Sequence, residues 1–324
     1  MQSIEFYRSE FLNYLEKNVQ TKEPQNLYAP ISYILSLGGK RLRPVLTLLT
    51  TELFGGAYVK ALDAALAIEV FHNFSLVHDD IMDDAPLRRG KTTIHEKWDI
   101  NTGILSGDAM LINSYQFFEN YTDSDFKGLV QLFSKTALEV CEGQQYDVDF
   151  ETRDDVTITE YLKMITYKTA VLVAAAMKMG AIIAKTSKEN QDLVYAFGIN
   201  LGIAFQLQDD YLDAFGDLKT FGKQIGGDII ENKKTFLYLR ALELSNPTQR
   251  KTIIDMYSIA PANPAEKIEA IKTIFEQSGS VTETKKEIEK YTELAFDSLS
   301  KINLPEERKT ILKDFGKNLM QRTV

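Results

Sequence analysis

Residues 61–84 read ALDAALAIEVFHNFSLVHDDIMDD, and this stretch decides the fold. From 61 to 74 its apolar residues recur at helical spacing, so they line one face of a helix. Four carboxylates, Asp79, Asp80, Asp83 and Asp84, then crowd into the last six positions beside His78. Such charges repel one another, and burying them without a partner is costly. A second stretch, residues 205–213, reads FQLQDDYLD and repeats the spacing at Asp209, Asp210 and Asp213. Both clusters read DDxxD, and both end a long apolar helical pattern.

The same periodicity runs through most of the chain. In residues 4–19, Ile4, Tyr7, Phe11, Tyr14 and Leu15 share one face, and this first helix is expected to pack as an arm. Similar patterns cover 107–121, 129–146, 159–184, 191–215, 235–244, 265–276 and 281–300. Alternating strand patterns are scarce. Of 8 prolines, Pro24, Pro30, Pro86, Pro247, Pro261 and Pro264 are read as breaks between helices. No repeat, low-complexity tract or Gly/Ser linker divides the sequence. The expectation is an all-α fold, a single domain spanning 1–324.

Composition narrows the function classes. The chain has 324 residues, is 44% hydrophobic and carries a formal net charge of -9. An acidic balance argues against a nucleic-acid partner, which needs a basic surface, but it allows a local basic site for a small anion. The single cysteine, Cys141, permits no intramolecular disulfide and fits a reducing compartment. The start, MQSIEFYRSE, is not a signal peptide. The apolar run 170–177 meets Lys178 after eight residues, too short for a membrane span of about 20. A cytoplasmic protein without stable membrane insertion is expected.

On a helix, residues four apart share a face, so Asp79 pairs with Asp83, and Asp209 with Asp213. Converging carboxylate oxygens suit Mg²⁺, which typically keeps waters and takes substrate phosphate oxygens as further ligands. Cationic residues flank both clusters: Lys40, Arg41 and Arg43 in GGKRLRP, Arg88, Arg89 and Lys91 in PLRRGK, then Lys168-Thr169, Lys223 in FGKQIGGD and Lys233-Lys234-Thr235. Arginine suits bidentate phosphate binding, and lysine acts as a mobile point charge. His72 lies two turns before Asp79 on nearly the same face, as a core histidine or a phosphate donor. Three histidines without a cysteine cluster give no zinc pattern.

Taken in order, GGKRLRP, HNFSLVHDDIMDD, LRRGK, SGDAML, YKTA, FQLQDDYLD, GKQIGGDI and NKKT resemble the trans-isoprenyl diphosphate synthases, or polyprenyl synthetases. The resemblance covers about residues 38–235. It implies an all-α bundle around a deep central cavity, usually homodimeric. It implies head-to-tail condensation of isopentenyl diphosphate with an allylic diphosphate, using two or three Mg²⁺ ions. By motif match, Asp79, Asp83 and Asp209 are the main metal ligands, supported by Asp80, Asp210 and Asp213. Gly39, Lys40, Arg43, His72 and Arg89 hold isopentenyl diphosphate. Arg88, Lys168, Thr169, Gln206, Lys223 and Lys233 hold the allylic substrate, and Lys168 and Gln206 also serve catalysis. Thr92 departs from the family, where proline often stands, and an altered loop is expected there. Phe74, with Ser75 after it, resembles the chain-length position of C20-forming enzymes, so the expected product is C15–C20, leaning to C20. A class I terpene cyclase shares the first motif but not a second DDxxD. A noncatalytic partner subunit typically lacks one of the two clusters.

Overall fold

The computed structural model describes residues 1–216 and 225–320. The chain groups into two compact units, Met1–Thr136 with Ala175–Tyr195, and Ala137–Ala174 with Ala196–Val324. Almost all regular structure is helical. Among the described residues the only sheet is a two-stranded hairpin, β1 (Leu87–Arg88) against β2 (Lys91–Thr92). The all-α expectation holds.

In the first unit, α1 (Ile4–Asn18) starts at Ser3, whose side chain accepts from the Phe6 amide, an N-cap. It buries Tyr7, Phe11 and Leu15, and Tyr14 donates to Asp63 at 2.6 Å, so the first helix is docked along its length. Next come α2 (Gln25–Ser36) and α3 (Leu42–Leu53). Pro30 does not break the chain. It sits inside α2, whose buried Ile31, Ile34 and Leu35 hold the helix through the lost hydrogen bond. The α3 helix buries nine residues, including Thr47, Thr50 and Thr51, and so carries no polar face for a periodic reading to find. The long α4 (Leu62–Met82) carries the first acidic cluster at its C-terminus. The short α5 (Ile94–Lys97) and α6 (Ile100–Gln116) follow the hairpin. Close packing of α4 on α6 needs glycine: a Cβ on Gly107 would lie 2.2 Å from the His78 ring, and one on Gly103 2.8 Å from Ile81.

In the second unit, α7 (Asp123–Thr152) enters from the first, and α8 (Ile158–Ile165) begins with a capping box between Thr157 and Glu160. A single π-helical turn, Thr166–Ala170, separates α8 from α9 (Val171–Ile183), whose residues from Ala175 on belong to the first unit, so the apolar pattern expected over 159–184 is one run with a bulge in it. By length and composition Ile158–Ile183 would suffice to cross a membrane, yet 61% of its most apolar window is buried inside the protein. The long α10 (Lys188–Phe215) carries the second acidic cluster. It is followed by α11 (Gly227–Ile230), α12 (Phe236–Leu244), α13 (Pro247–Tyr257), α14 (Ala265–Ser278), α15 (Ser280–Lys301) and α16 (Glu306–Met320). The core of this unit gathers Phe150, Tyr161, Leu207, Phe236, Ile271 and Phe275, each side chain contributing about 1.5–3 kcal/mol on burial.

Candidate active site

The first acidic cluster is split by the helix that carries it. Asp83 is the C-cap of α4, and its amide donates to the Asp79 carbonyl at 2.9 Å, so the two side chains leave one turn apart. Asp80 is buried, and Arg88 grips its Oδ1 through Nε at 2.8 Å and through Nη2. The Arg88 Nη2 also lies 3.7 Å from Asp79 Oδ2. Burial raises the Asp80 pKa, against the pull of Arg88.

A hairpin aims the arginines. Arg89 (φ 53°) and Gly90 (φ 73°) both occupy the left-handed region, as the two central residues of a two-residue turn require. Leu87 pairs with Thr92, and Arg88 with Lys91. A left-handed arginine is strained, and such strain gathers at functional sites. Arg89 Nη1 donates to the Gly38 carbonyl. Gly39 (φ 117°) occupies backbone that strains any other residue, and a Cβ there would meet the Arg89 guanidinium at 2.9 Å.

Arg41, Arg43 and His72 complete this basic group. Arg41 is buried and spent inside the fold: it donates to Glu69 and to the Leu35 carbonyl, and Asn73 donates to the same Glu69 oxygen at 3.1 Å. Arg43 has its Nε buried with no hydrogen-bond partner. Burial and the guanidiniums of Arg43, Arg89, Arg88 and Arg41 drive the His72 pKa well below its ordinary value, so His72 is neutral at pH 7. Lys40 is exposed. The Phe74 ring is buried against Phe71 (5.4 Å) and His78 (4.8 Å), and the Ser75 hydroxyl donates back to the His72 carbonyl at 2.8 Å.

The second unit holds a matching set. Asp209, Asp210 and Asp213 lie in the last turns of α10. Asp210 is buried and accepts from the Tyr161 hydroxyl and, at 2.8 Å, from Gln206 Nε2. Thr169 donates to Gln206 Oε1 at 3.1 Å. Burial, followed by the charges of Asp209 and Asp213, raises the Asp210 pKa to about 6 despite those two hydrogen bonds. Asp213 Oδ2 accepts from the Asp228 amide at 2.9 Å, and its carbonyl from Gly226 at 2.7 Å. Lys168 projects from the π-turn, a device frequent at functional sites, and donates to Asp147 at 2.6 Å. Lys233 stands 4.0 Å from the same carboxylate. Gly143 lets α7 press on this turn, since a Cβ there would lie 2.3 Å from the Lys168 nitrogen. A cavity of about 140 Å³ opens among these groups, lined by Asp147, Lys168, Thr169, Gln206, Asp210 and Lys233 with others. Lys223 lies outside the described residues.

Among the described residues, the sequence-expected ones fall into two groups, each inside one unit. The structure adds Glu69 and Asn73, which fix Arg41, and Asp147, Tyr161 and Asp228, which line the cavity of the second unit. Asp228 stands in GKQIGGDI and Asp147 four residues after Gly143, where an acid among helical residues looks like surface charge. Burial, which raises the Asp228 pKa well above the carboxylate range, is visible only in the fold.

Residues 24–275 match the Polyprenyl synthetase family. The chain is 35% identical to a geranylfarnesyl diphosphate synthase of Natronomonas pharaonis over 95% of this chain and 94% of that one. It is 37% identical to a geranylgeranyl pyrophosphate synthase of Geoglobus acetivorans over 89% of each. A crystal structure of a geranylgeranyl pyrophosphate synthase superposes with a TM-score of 0.96 at 52% identity, covering 100% of both chains. Ordered motifs, two carboxylate clusters flanked by basic groups, an all-α fold and near full-length relatives agree: the chain belongs to the polyprenyl synthetase family, as a short-chain trans-prenyltransferase.

Proposed function

We propose that the protein condenses isopentenyl diphosphate head-to-tail with allylic diphosphates and releases a C15–C20 trans-prenyl diphosphate, with C20 the main product. The observation that carries this reading is the basic group in the first unit. Arg43, with its buried unpartnered Nε, lies with Arg89 beside a neutral His72. The Arg43 Nε is withdrawn from solvent without a partner while Arg89 stays exposed, so the pair is open to an anion from solvent that satisfies it, and a diphosphate supplies one. The relatives reported above make C20 and C25 products by name. Neither a cyclase nor a noncatalytic subunit finds support among them, and both DDxxD clusters are intact.

Family members use Mg²⁺ bound with diphosphate. The donor set here fits that ion: oxygen ligands only, with Asp79 and Asp83 one turn apart on α4 and Asp209 and Asp213 on α10. Asp80 and Asp210 support them through Arg88, and through Tyr161 and Gln206. Two or three ions are our reading. Mg²⁺, when bound, neutralises charge that develops on the departing diphosphate. Lys168 and Lys233 in the second unit, Arg88 in the first and, by motif match, Lys223 are the cations that would offset charge on a departing diphosphate, the electrostatic contribution usually largest in such sites. Gly39, Lys40, Arg43, His72 and Arg89 hold the diphosphate of the isopentenyl substrate, and neutral His72 donates one N–H. Thr169 and Gln206 present oriented dipoles near the reacting carbons, where an apolar wall keeps water away. No side-chain base stands out, so the released diphosphate is the proton acceptor.

Phe74 and Ser75 set the floor for the growing chain. Phe74→Ala is expected to lengthen the product by at least one C5 unit on chromatography, and an unchanged distribution counts against the floor. We read 1–324 as one prenyltransferase domain, because α7, α9 and α10 each continue across the boundary between units. Exposed Leu105 and Ile112 on α6, seven residues apart, support a homodimer, and the lone cysteine a cytoplasmic setting. The test of function is purified protein with Mg²⁺, labelled isopentenyl diphosphate and C5, C10 or C15 starters. A labelled C20 product supports the reading, and label confined to unreacted substrate refutes it.

A further inference from the structure

Beyond the two aspartate clusters, a third group of ligand-type atoms stands in the first unit. Asp84, His95 and Glu96 bring one oxygen or nitrogen each within 4.8 Å of the others. His95 Nε2 lies 3.9 Å from Asp84 Oδ1 and 3.9 Å from Glu96 Oε1. That is too long for a hydrogen bond. The His95 side chain is only 4% exposed, and neither ring nitrogen has a hydrogen-bond partner. A buried imidazole without partners is an unusual expense for a fold and points to something absent from the protein itself. An ion bound about 2.0–2.2 Å from nitrogen and oxygen fits such a gap. It can enter from solvent, because the Asp84 side chain is 95% exposed and that of Glu96 50%.

We propose that Asp84, His95 and Glu96 form a site for one divalent transition-metal ion, distinct from the Mg²⁺ ligands of the reaction. An imidazole with two carboxylates suits Zn²⁺, Ni²⁺ or Cu²⁺, whereas Mg²⁺ prefers oxygen alone. The site closes a segment that matters. Asp84 follows α4, Glu96 and His95 lie in α5, and between them runs the hairpin with Arg88 and Arg89. Thr93 already ties that segment to the Ala85 carbonyl at 2.8 Å. An ion at Asp84, His95 and Glu96 is a second tie, and it holds the arginine hairpin in place.

The chain has three histidines, and its aspartate clusters offer no nitrogen, so the nitrogen ligand is the signature to seek. The full chain is titrated with Cu²⁺ and followed by electron paramagnetic resonance, and its thermal midpoint is measured with Zn²⁺. The expected result is one equivalent of Cu²⁺ with imidazole nitrogen coupling and a midpoint raised by Zn²⁺. Both effects are lost in the double variant Asp84→Asn, Glu96→Gln, which alters exposed side chains and keeps prenyl transfer with Mg²⁺. Absence of nitrogen coupling in the natural chain overturns the proposal. So does coupling that persists unchanged in the double variant, since the two carboxylates are then not ligands of the ion.

Discussion

Arginines in the first unit divide between Arg41, which holds the fold, and Arg43 and Arg89, which the proposed function assigns to an anion. Arg41 is committed to Glu69 and the Leu35 carbonyl, with both charged side chains almost fully covered. Removing one member of a buried pair strands the other, so Arg41→Met is expected to cost about 3–5 kcal/mol in denaturant unfolding. His72 carries a pH signature. Its pKa in the folded protein is depressed below the ordinary value of 6.5. The unfolded chain therefore binds the proton first, and stability is full above about pH 6.5 and falls as pH drops toward the folded value. The thermal midpoint of metal-free protein should decline over that acid range, and His72→Asn should remove that part of the decline. At this scale the sequence was most readable where charge is dense: the carboxylates and the basic runs name themselves. It was least readable for Tyr161, Asp147 and Asp228, because one acid or tyrosine says nothing of its burial.

Among the elements, glycines decide how closely the site-bearing helices approach. Gly143→Ala would drive a methyl group into the backbone of the π-turn at Lys168, with a 2.3 Å contact that cannot persist. Overpacking of this kind typically costs about 1–3 kcal/mol. Because Lys168 and Thr169 ride on the turn, the variant is also expected to lose kcat/KM for the allylic substrate more than for isopentenyl diphosphate, a split that steady-state kinetics with each substrate varied reads directly. The positions of long helices were legible from periodicity, with α10 and α12 to α15 recovered or nearly so in outline except α13. Helices buried on all sides or short were not: α3 has no polar face, and the Pro30 rule failed because three buried neighbours outweigh one missing hydrogen bond. The π-turn was invisible, since inserting one residue in a run such as YKTAVLVAAA leaves the apolar pattern intact.

For the whole molecule, the family was legible because its motifs come in a fixed order along the chain. The division into two compact units was not, because each unit is assembled from two separated segments. If the α6 face is a subunit contact, Leu105→Glu with Ile112→Glu should halve the mass seen in analytical ultracentrifugation, and an unchanged mass would place the contact elsewhere. The central claim of the proposed function is that each aspartate cluster binds divalent metal together with diphosphate. Anomalous diffraction from crystals grown with Mn²⁺ and inorganic diphosphate tests it most directly. The account predicts Mn²⁺ ligated by Asp79 and Asp83 and further Mn²⁺ ligated by Asp209, each in contact with diphosphate. Diphosphate and Mn²⁺ bound away from either cluster would contradict it.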